Sequence, residues 1–396
     1  MFSVSNLPDK FSAWIVLFSL CLLSAACAQA PRATPVPSAE VRALWVTRWD
    51  YRKPEDIQTI ARNAVSAGFN RLYFQVRGEA TTFYPSEIEP WAWELSGNVS
   101  DTGKDPGWDP LATAIKVAHY YGLELHAYMN VLPAWKVKEA PPARSGHVMV
   151  DHPEWIMRDK KGQAMSPRRT GFYAFLNPAM PEVRKYIASV FQEVAMNYPT
   201  LDGIHYDYIR YPGEMGDYSH DNDTLAEFKS LTGGKSPAQA PKLWNHYRCS
   251  QVDTLVRDIT LAVRKANPDL EISAAVIANL QIAQKQKCQQ WIEWTERGLV
   301  DTLVPMAYHY DMEKYEEYLD SWLGALKPVA GNVIVGIWPA EKWQEKYDYS
   351  LKTLQKQIEM ARKKGADGVS VFAYSTIFPE GKFGKWAGYL KTEVFR

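Results

Sequence analysis

From residue 41 onward, short β-branched or aromatic runs alternate with longer helical patterns, and the alternation recurs to the end of the chain. Text of this kind reads as βα units feeding a parallel sheet. The candidate strands are 41–48, 71–79, 124–131, 203–211, 270–277, 302–309, 333–338 and 368–375. Eight such units close a (β/α)8 TIM barrel, here with long loops at the C-terminal face. Helices are expected over 54–67, 109–121, 181–198, 244–266, 289–298 and 351–364, with Gly68, Gly122, Gly298 and Gly365 as stops just before the next strand. Two connections, 80–108 and 132–176, exceed simple turns and belong above the barrel mouth, and a third insertion covers 212–243.

No boundary between domains is visible after residue 40, so 40–396 reads as a single barrel. Before it, Lys10 precedes an apolar run, 11–23, that is too short for a membrane span and suits a secretory signal over 1–27. Residues 23–27, LSAAC, resemble a bacterial lipobox in which Cys27 carries lipid, with cleavage after Ala28 as the competing reading. A Pro/Ala-rich tether over 28–39 follows. The expectation is an exported protein, periplasmic or anchored at the outer membrane. Cys249 and Cys288 remain in the mature chain and could form one disulfide in an oxidising compartment.

With 45 basic and 45 acidic residues the formal net charge is zero, so nucleic acid is not an expected partner and a membrane enters only through the lipid anchor. Aromatics make up 13%, with 15 Trp and 22 Tyr, which serves both barrel packing and the faces of sugar rings.

Barrel strands are buried on both faces and default to continuous apolar text, so polar residues recurring on one parity need a reason. Gln75, Arg77 and Glu79 share a face of the second strand, His126, Tyr128 and Asn130 of the third, and His205 and Asp207 of the fourth. Tyr308 lies on the same parity of the sixth. Each alone reads as a core hydrogen bond, and their convergence on the upper lumen points to a site. A polar pocket with carboxylates and rings suits glycan chemistry, in which one carboxyl donates a proton and another stabilises charge at the sugar carbon. Asp207 is the first carboxylate. Glu79 is the leading proton donor, with Asp50 and Asp311 less favoured and a salt bridge to Arg48 or Arg77 as the alternative role for Glu79. No G-x-S-x-G elbow, phosphate loop, H-x-H pair or H-E-x-x-H helix is present, so no cofactor or metal is expected, although His126, His205, His309 and Asp207 could in principle gather one.

Taken in order, RALWVT (42–47), FQVRGEA and FYPS (74–86), WDPL (108–111), HAYMN (126–130), FLNPAMPEVR (175–184), DGIHYDYIRYP (202–212) and PMAY (305–308) resemble the bacterial glycosyl hydrolase-like family ten over about residues 40–390. The resemblance implies an exported barrel, in a family that includes outer-membrane lipoproteins resembling peptidoglycan glycosidases that act on strands stripped of stem peptides. The fourth strand is also similar to the chitinase signature D-G-x-D-x-D-x-E: Asp202, Gly203 and Asp207 match, while His205 and Ile209 replace its middle Asp and its Glu. By that likeness Asp207 orients the substrate's acetamido group, and by likeness to other barrel glycosidases it is the nucleophile. PMAY resembles the chitinase M-x-Y and so implies Tyr308 beside the reacting sugar.

The expected function is a retaining glycoside hydrolase of the cell envelope acting on an N-acetylated glycan, denuded peptidoglycan above all. Asp207 and Glu79 are its catalytic pair, and Gln75, Arg77, His126, Asn130, His205, Tyr206, Tyr308 and Trp338 shape the sugar subsites. A barrel that binds glycan without cutting it is the alternative, and a metal-dependent deacetylase a third.

Overall fold

A computed structural model gives the fold and describes residues 40–326, 332–339, 342–343 and 347–395; the segments expected to be a secretory signal and a tether, with Cys27, lie outside the described residues. Eight parallel strands close a barrel in sequence order. They are β1 (Val41–Val46), β2 (Arg71–Arg77), β3 (Glu124–Asn130), β4 (Gly203–Asp207), β5 (Glu271–Ile277), β6 (Thr302–Met306), β7 (Asn332–Ile337) and β8 (Gly368–Phe372), and β8 pairs back onto β1. Each begins within a residue of the expected position. Several end earlier, and β4 shows why. Tyr208 adopts a φ of +54°, which breaks the extended path while Ile209 and Tyr211 stay buried in the strap that follows.

The helices between them include α1 (Pro54–Ser66), α2 (Pro110–Tyr120), α3 (Pro181–Asn197), α4 (Pro241–Ala266), α5 (Trp291–Glu296), α6 (Met312–Leu326) and α7 (Leu351–Lys363); α6 escaped the sequence reading, as did two further helices, Asn222–Leu231 and Leu280–Gln286. Proline opens α1 to α4 at a position where its missing N–H costs nothing. All four Gly stops have positive φ, as helix ends require.

Leu72, Phe74 and Val76 on the outer face of β2 join the core under the helices, whereas Ala43, Trp45, Tyr73, Tyr128, Ala275, Val304 and Ile334 fill the lumen. The lumen is layered. At its base Arg71 makes a two-pronged ion pair with Glu271, at 2.8 and 2.9 Å, and bonds Glu124 at 2.6 Å. Above that, His126 lies over Gly203, where a Cβ would come within 2.4 Å of its Nδ1, so glycine is required there by space. Of the long loops, 80–108 is bridged through Thr82 to Arg77 and Trp91, and 132–176 carries a short ribbon of Pro133–Trp135 with Ala174–Phe175.

Candidate functional site

Asp207 is the last residue of β4, at the C-terminal mouth where TIM barrels hold their chemistry. The left-handed turn at Tyr208 folds the chain back over the carboxylate. The Tyr208 N–H donates to Oδ1 at 2.6 Å, Arg210 Nη1 donates to the same oxygen at 2.8 Å, and the Tyr128 hydroxyl donates to Oδ2 at 2.9 Å. The Arg210 guanidinium in turn lies 4.2 Å from the Tyr208 ring centroid. Every contact is a donor, one of them charged, so the group is held rigidly as an acceptor. Below it, Lys287 Nζ donates to Pro212 O at 3.0 Å and supports the strap; burial and the Arg210 charge bring this ammonium down to about 8.

Asp207 lines a cavity of about 430 Å³ with Trp45, Tyr128, Tyr208, Arg210, Tyr308, Trp338 and Phe372, and with Asn279 and Ile282 from the start of a short helix, Leu280–Gln286, that follows β5. The rings form a connected wall: Tyr308 packs on Trp338 at 5.9 Å, on Phe372 at 6.0 Å and on Trp45 at 6.5 Å. Among the described residues no other carboxylate lines this cavity. Burial, with the neighbouring Asp207 charge, holds both the Tyr128 and Tyr308 hydroxyls well above the usual tyrosine range, so each stays a proton-bearing donor at neutral pH. A concave aromatic wall around one fixed carboxylate can seat a sugar ring and offer it an acceptor.

The structure gathers Asp207, Tyr308 and Trp338 from the sequence-derived set and places the others elsewhere. Glu79 is fully buried, with Oε1 on Arg48 Nη2 at 2.8 Å and Oε2 accepting the Lys136 N–H at 2.6 Å, and it does not line the cavity. Gln75 accepts the Arg48 N–H at 3.0 Å. Arg77 is sealed against Glu89 at 2.8 and 2.5 Å and donates to Asn130 O, while Asn130 Nδ2 donates to Gly78 O at 2.9 Å. Gln75 and Asn130 keep the expected inward parity, but a bulge after Gln75 brings Arg77 into register with the outward Met129, so Arg77 faces Glu89, itself bonded to Tyr186 of α3, and not the lumen. His126 and His205 are wholly buried in the middle layer. His205 Nε2 accepts from Trp45 Nε1 at 3.1 Å, its Nδ1 meets Ser273 Oγ at 2.8 Å, and it stacks on Tyr73 at 4.0 Å. Burial holds both imidazoles below their usual range, so they serve the core as neutral rings. Tyr206 points outward against Phe191 at 5.3 Å, as its parity demands, and cannot meet a ligand in the lumen. Asp311 accepts the Glu313 and Lys314 N–H groups at the start of α6.

Around Glu79 lies a closed charge network. Arg48 bonds Glu79, Glu94 at 2.6 Å and the Tyr173 hydroxyl at 3.0 Å, all buried. Two carboxylates thus share one guanidinium. Burial pushes Glu94 up to about 7 against the pull of Arg48, with the Glu79 charge adding to the push.

Trp45, Tyr208, Phe372, Asn279 and Ile282 were not singled out from the sequence. Trp45 and Phe372 carried a usable signal, since each sits on the inward parity of its strand. Tyr208, Asn279 and Ile282 carried none. Among the described residues no three His, Cys, Asp or Glu side chains cluster closely enough to hold a metal ion. Cys249 and Cys288 are buried free thiols, and Cys249 Sγ lies 3.6 Å from Gln284 O.

Residues 40–338 match the family model described as Glycosyl hydrolase-like 10. The chain is 25% identical over 296 residues to the glycosyl hydrolase DigH of Escherichia coli (strain K12), covering 68% of this chain and 62% of that protein's length. It is 24% identical over 369 residues to the glycosyl hydrolase YngK of Bacillus subtilis (strain 168), covering 82% and 67%. Among solved structures, the catalytic domain of β-amylase from Paenibacillus polymyxa superposes with a TM-score of 0.64 at 10% identity, covering 90% of this chain and 97% of that one. A β-galactosidase from Marinomonas ef1 superposes with a TM-score of 0.65 at 12% identity, covering 89% and 58%. At such identities these two share the barrel.

Proposed function

The chain belongs to the glycosyl hydrolase-like 10 family, and from that premise we propose that it is a glycoside hydrolase of the cell envelope that cuts N-acetylated glycan strands, denuded peptidoglycan first among them. One observation carries the reading: a single carboxylate, Asp207, is fixed by three donors at the C-terminal end of a barrel strand and faces an aromatic cavity of about 430 Å³. A carboxylate so held is suited to accept. Toward an acetamido sugar it orients the N–H and offsets the positive charge that develops as the sugar's own carbonyl oxygen displaces the glycosidic oxygen from the anomeric carbon; toward a sugar lacking that group it makes the displacement itself as a nucleophile. In both, the departing oxygen takes its proton from water in the cavity, and a second water then opens the intermediate. Both routes retain configuration. The Tyr128 hydroxyl keeps Oδ2 aimed, and Tyr308 and Trp338 present ring faces to the sugar. Glu79 is bound to Arg48 on the sealed side of the mouth and is not assigned the role of acid.

Purified glycan strands freed of stem peptides are the test substrate. Wild type should release fragments and Asp207→Asn should not; equal release by both removes Asp207 from the chemistry. A second reading, binding without cleavage, draws on the lack of a second carboxylate lining the cavity among the described residues. It predicts retention of strands by wild type with no change in their length. Export with a lipid on Cys27 is part of the proposal: Cys27→Ser should move the protein from the membrane to the soluble envelope fraction, and an unchanged distribution would remove the anchor.

A further inference from the structure

A second cleft, of about 350 Å³, opens on the rim where β1 and β8 end, lined among others by Trp49, Asp50, Asp56, Tyr374, Ser375 and Glu380. The same two strands serve the Asp207 cavity, for Trp45 and Phe372 line that cavity and pair with each other in register. Tyr374 follows Phe372 by two residues and Trp49 follows Trp45 by four, so at the rise of an extended chain the two sites lie no more than about 13 Å apart along the backbone. At that spacing neighbouring units of one glycan chain can reach both sites.

Trp49 is 47% exposed, yet its indole is held from two sides, by the Arg48 guanidinium 4.8 Å from its centroid and by the edge of Trp93 at 5.6 Å. A fixed ring with an open face gives up little freedom when something stacks on it. Polar acceptors stand in the same cleft. Asp50 Oδ2 is engaged by the Thr47 N–H and hydroxyl, and Asp56 Oδ2 by the Arg52 and Lys53 N–H groups. Asp56 Oδ1 has no protein donor among the described residues and is available to a hydroxyl. Glu380 is paired with Lys382 at 2.6 Å, which leaves the lining acidic on balance. An indole face for the C–H side of a ring beside carboxylates for its hydroxyls is the chemistry of sugar recognition, and the acidic lining disfavours an anionic unit.

We propose that the Trp49 cleft is a second sugar subsite, which takes an uncharged unit of the same glycan chain whose reacting unit sits at Asp207. This rests on the glycan reading above. The test measures KM and kcat for wild type, Trp49→Ala and Trp49→Phe on a ladder of β-linked N-acetylglucosamine oligomers and on denuded strands. Trp49→Ala should raise KM about tenfold on the long chains, leave kcat and the shortest cleaved oligomer unchanged, and be partly rescued in Trp49→Phe. If wild type cleaves the ladder and Trp49→Ala matches it at every length, or loses equally at every length, the subsite is overturned while the glycosidase reading stands. If wild type neither cuts nor retains any member, the glycan reading falls and takes the subsite with it.

Discussion

Asp207 and Glu79 lie at the C-terminal mouth of the same barrel, Asp207 ending β4 and Glu79 two residues past β2, yet one lines an open cavity and the other is sealed. The difference comes from what lies above each. At Asp207 the chain makes a tight left-handed turn that clasps one carboxylate oxygen and still leaves the group lining a cavity between aromatic walls. Over Glu79 the loop 80–108 returns with Glu94 and Glu89, and the loop 132–176 adds Tyr173 and the Lys136 N–H, until both oxygens of Glu79 are taken up by protein donors. Strand parity decides which way a side chain points, and the loops decide whether anything can reach it.

The comparison breaks first at Asp207. If the open side carries the chemistry, Asp207→Asn should lower kcat by about 10³-fold or more while leaving the unfolding midpoint near wild type, because the amide keeps one acceptor for the donors around it. Glu79→Gln assayed beside it should keep kcat within about tenfold and lose stability instead. A variant pair with the reverse pattern would move the active site to the Arg48 side.

The sealed side makes its own prediction. Arg48→Met removes the shared guanidinium and strands two buried carboxylates, so unfolding free energy by denaturant titration should fall by about 3 to 5 kcal/mol. A loss below about 1 kcal/mol would mean that water enters and the network is not closed.

The frame of this molecule was written in its sequence: all eight strands begin where runs of β-branched and aromatic residues follow a turn, and Gln75, His126, Tyr128, His205 and Asp207 fall on the expected parity, whereas the bulge after Gln75 turns Arg77 outward. Tyr206 was misassigned against its own parity, which already pointed it at α3. The pairing of Arg48 with Glu94, 46 residues apart, had no local trace, since ion pairs formed by long loops depend on how those loops fold back. The same holds for Asn279 and Ile282, whose place in the cavity wall is set by how the short helix Leu280–Gln286, capped by Asn279, is laid across the end of β5. The sequence therefore reported direction well and enclosure poorly.

The shared charge gives a pH test of intermediate size. Burial raises Glu94 from 4.5 to about 7 in the folded protein, so the native state holds a proton there that the unfolded chain releases. Its contribution is full below pH 4.5 and is lost as pH rises through about 7. Stability should decline over that window by on the order of 1 to 3 kcal/mol, and Glu94→Gln should flatten the decline. An unchanged slope in the variant would assign the proton elsewhere.

The smallest effect sharpens the open side. Trp338 is half-buried, edge-on to Phe372 at 6.0 Å, and lines the cavity with Tyr308. A ring that only packs the barrel would cost stability when truncated, whereas a ring that faces a sugar costs binding. Trp338→Ala should therefore raise KM about fivefold to tenfold, near 1 kcal/mol, with kcat and the unfolding midpoint little changed. Should the midpoint fall and KM stay put, the aromatic wall belongs to the core and the bound ring must rest on Tyr208 and Tyr308 instead.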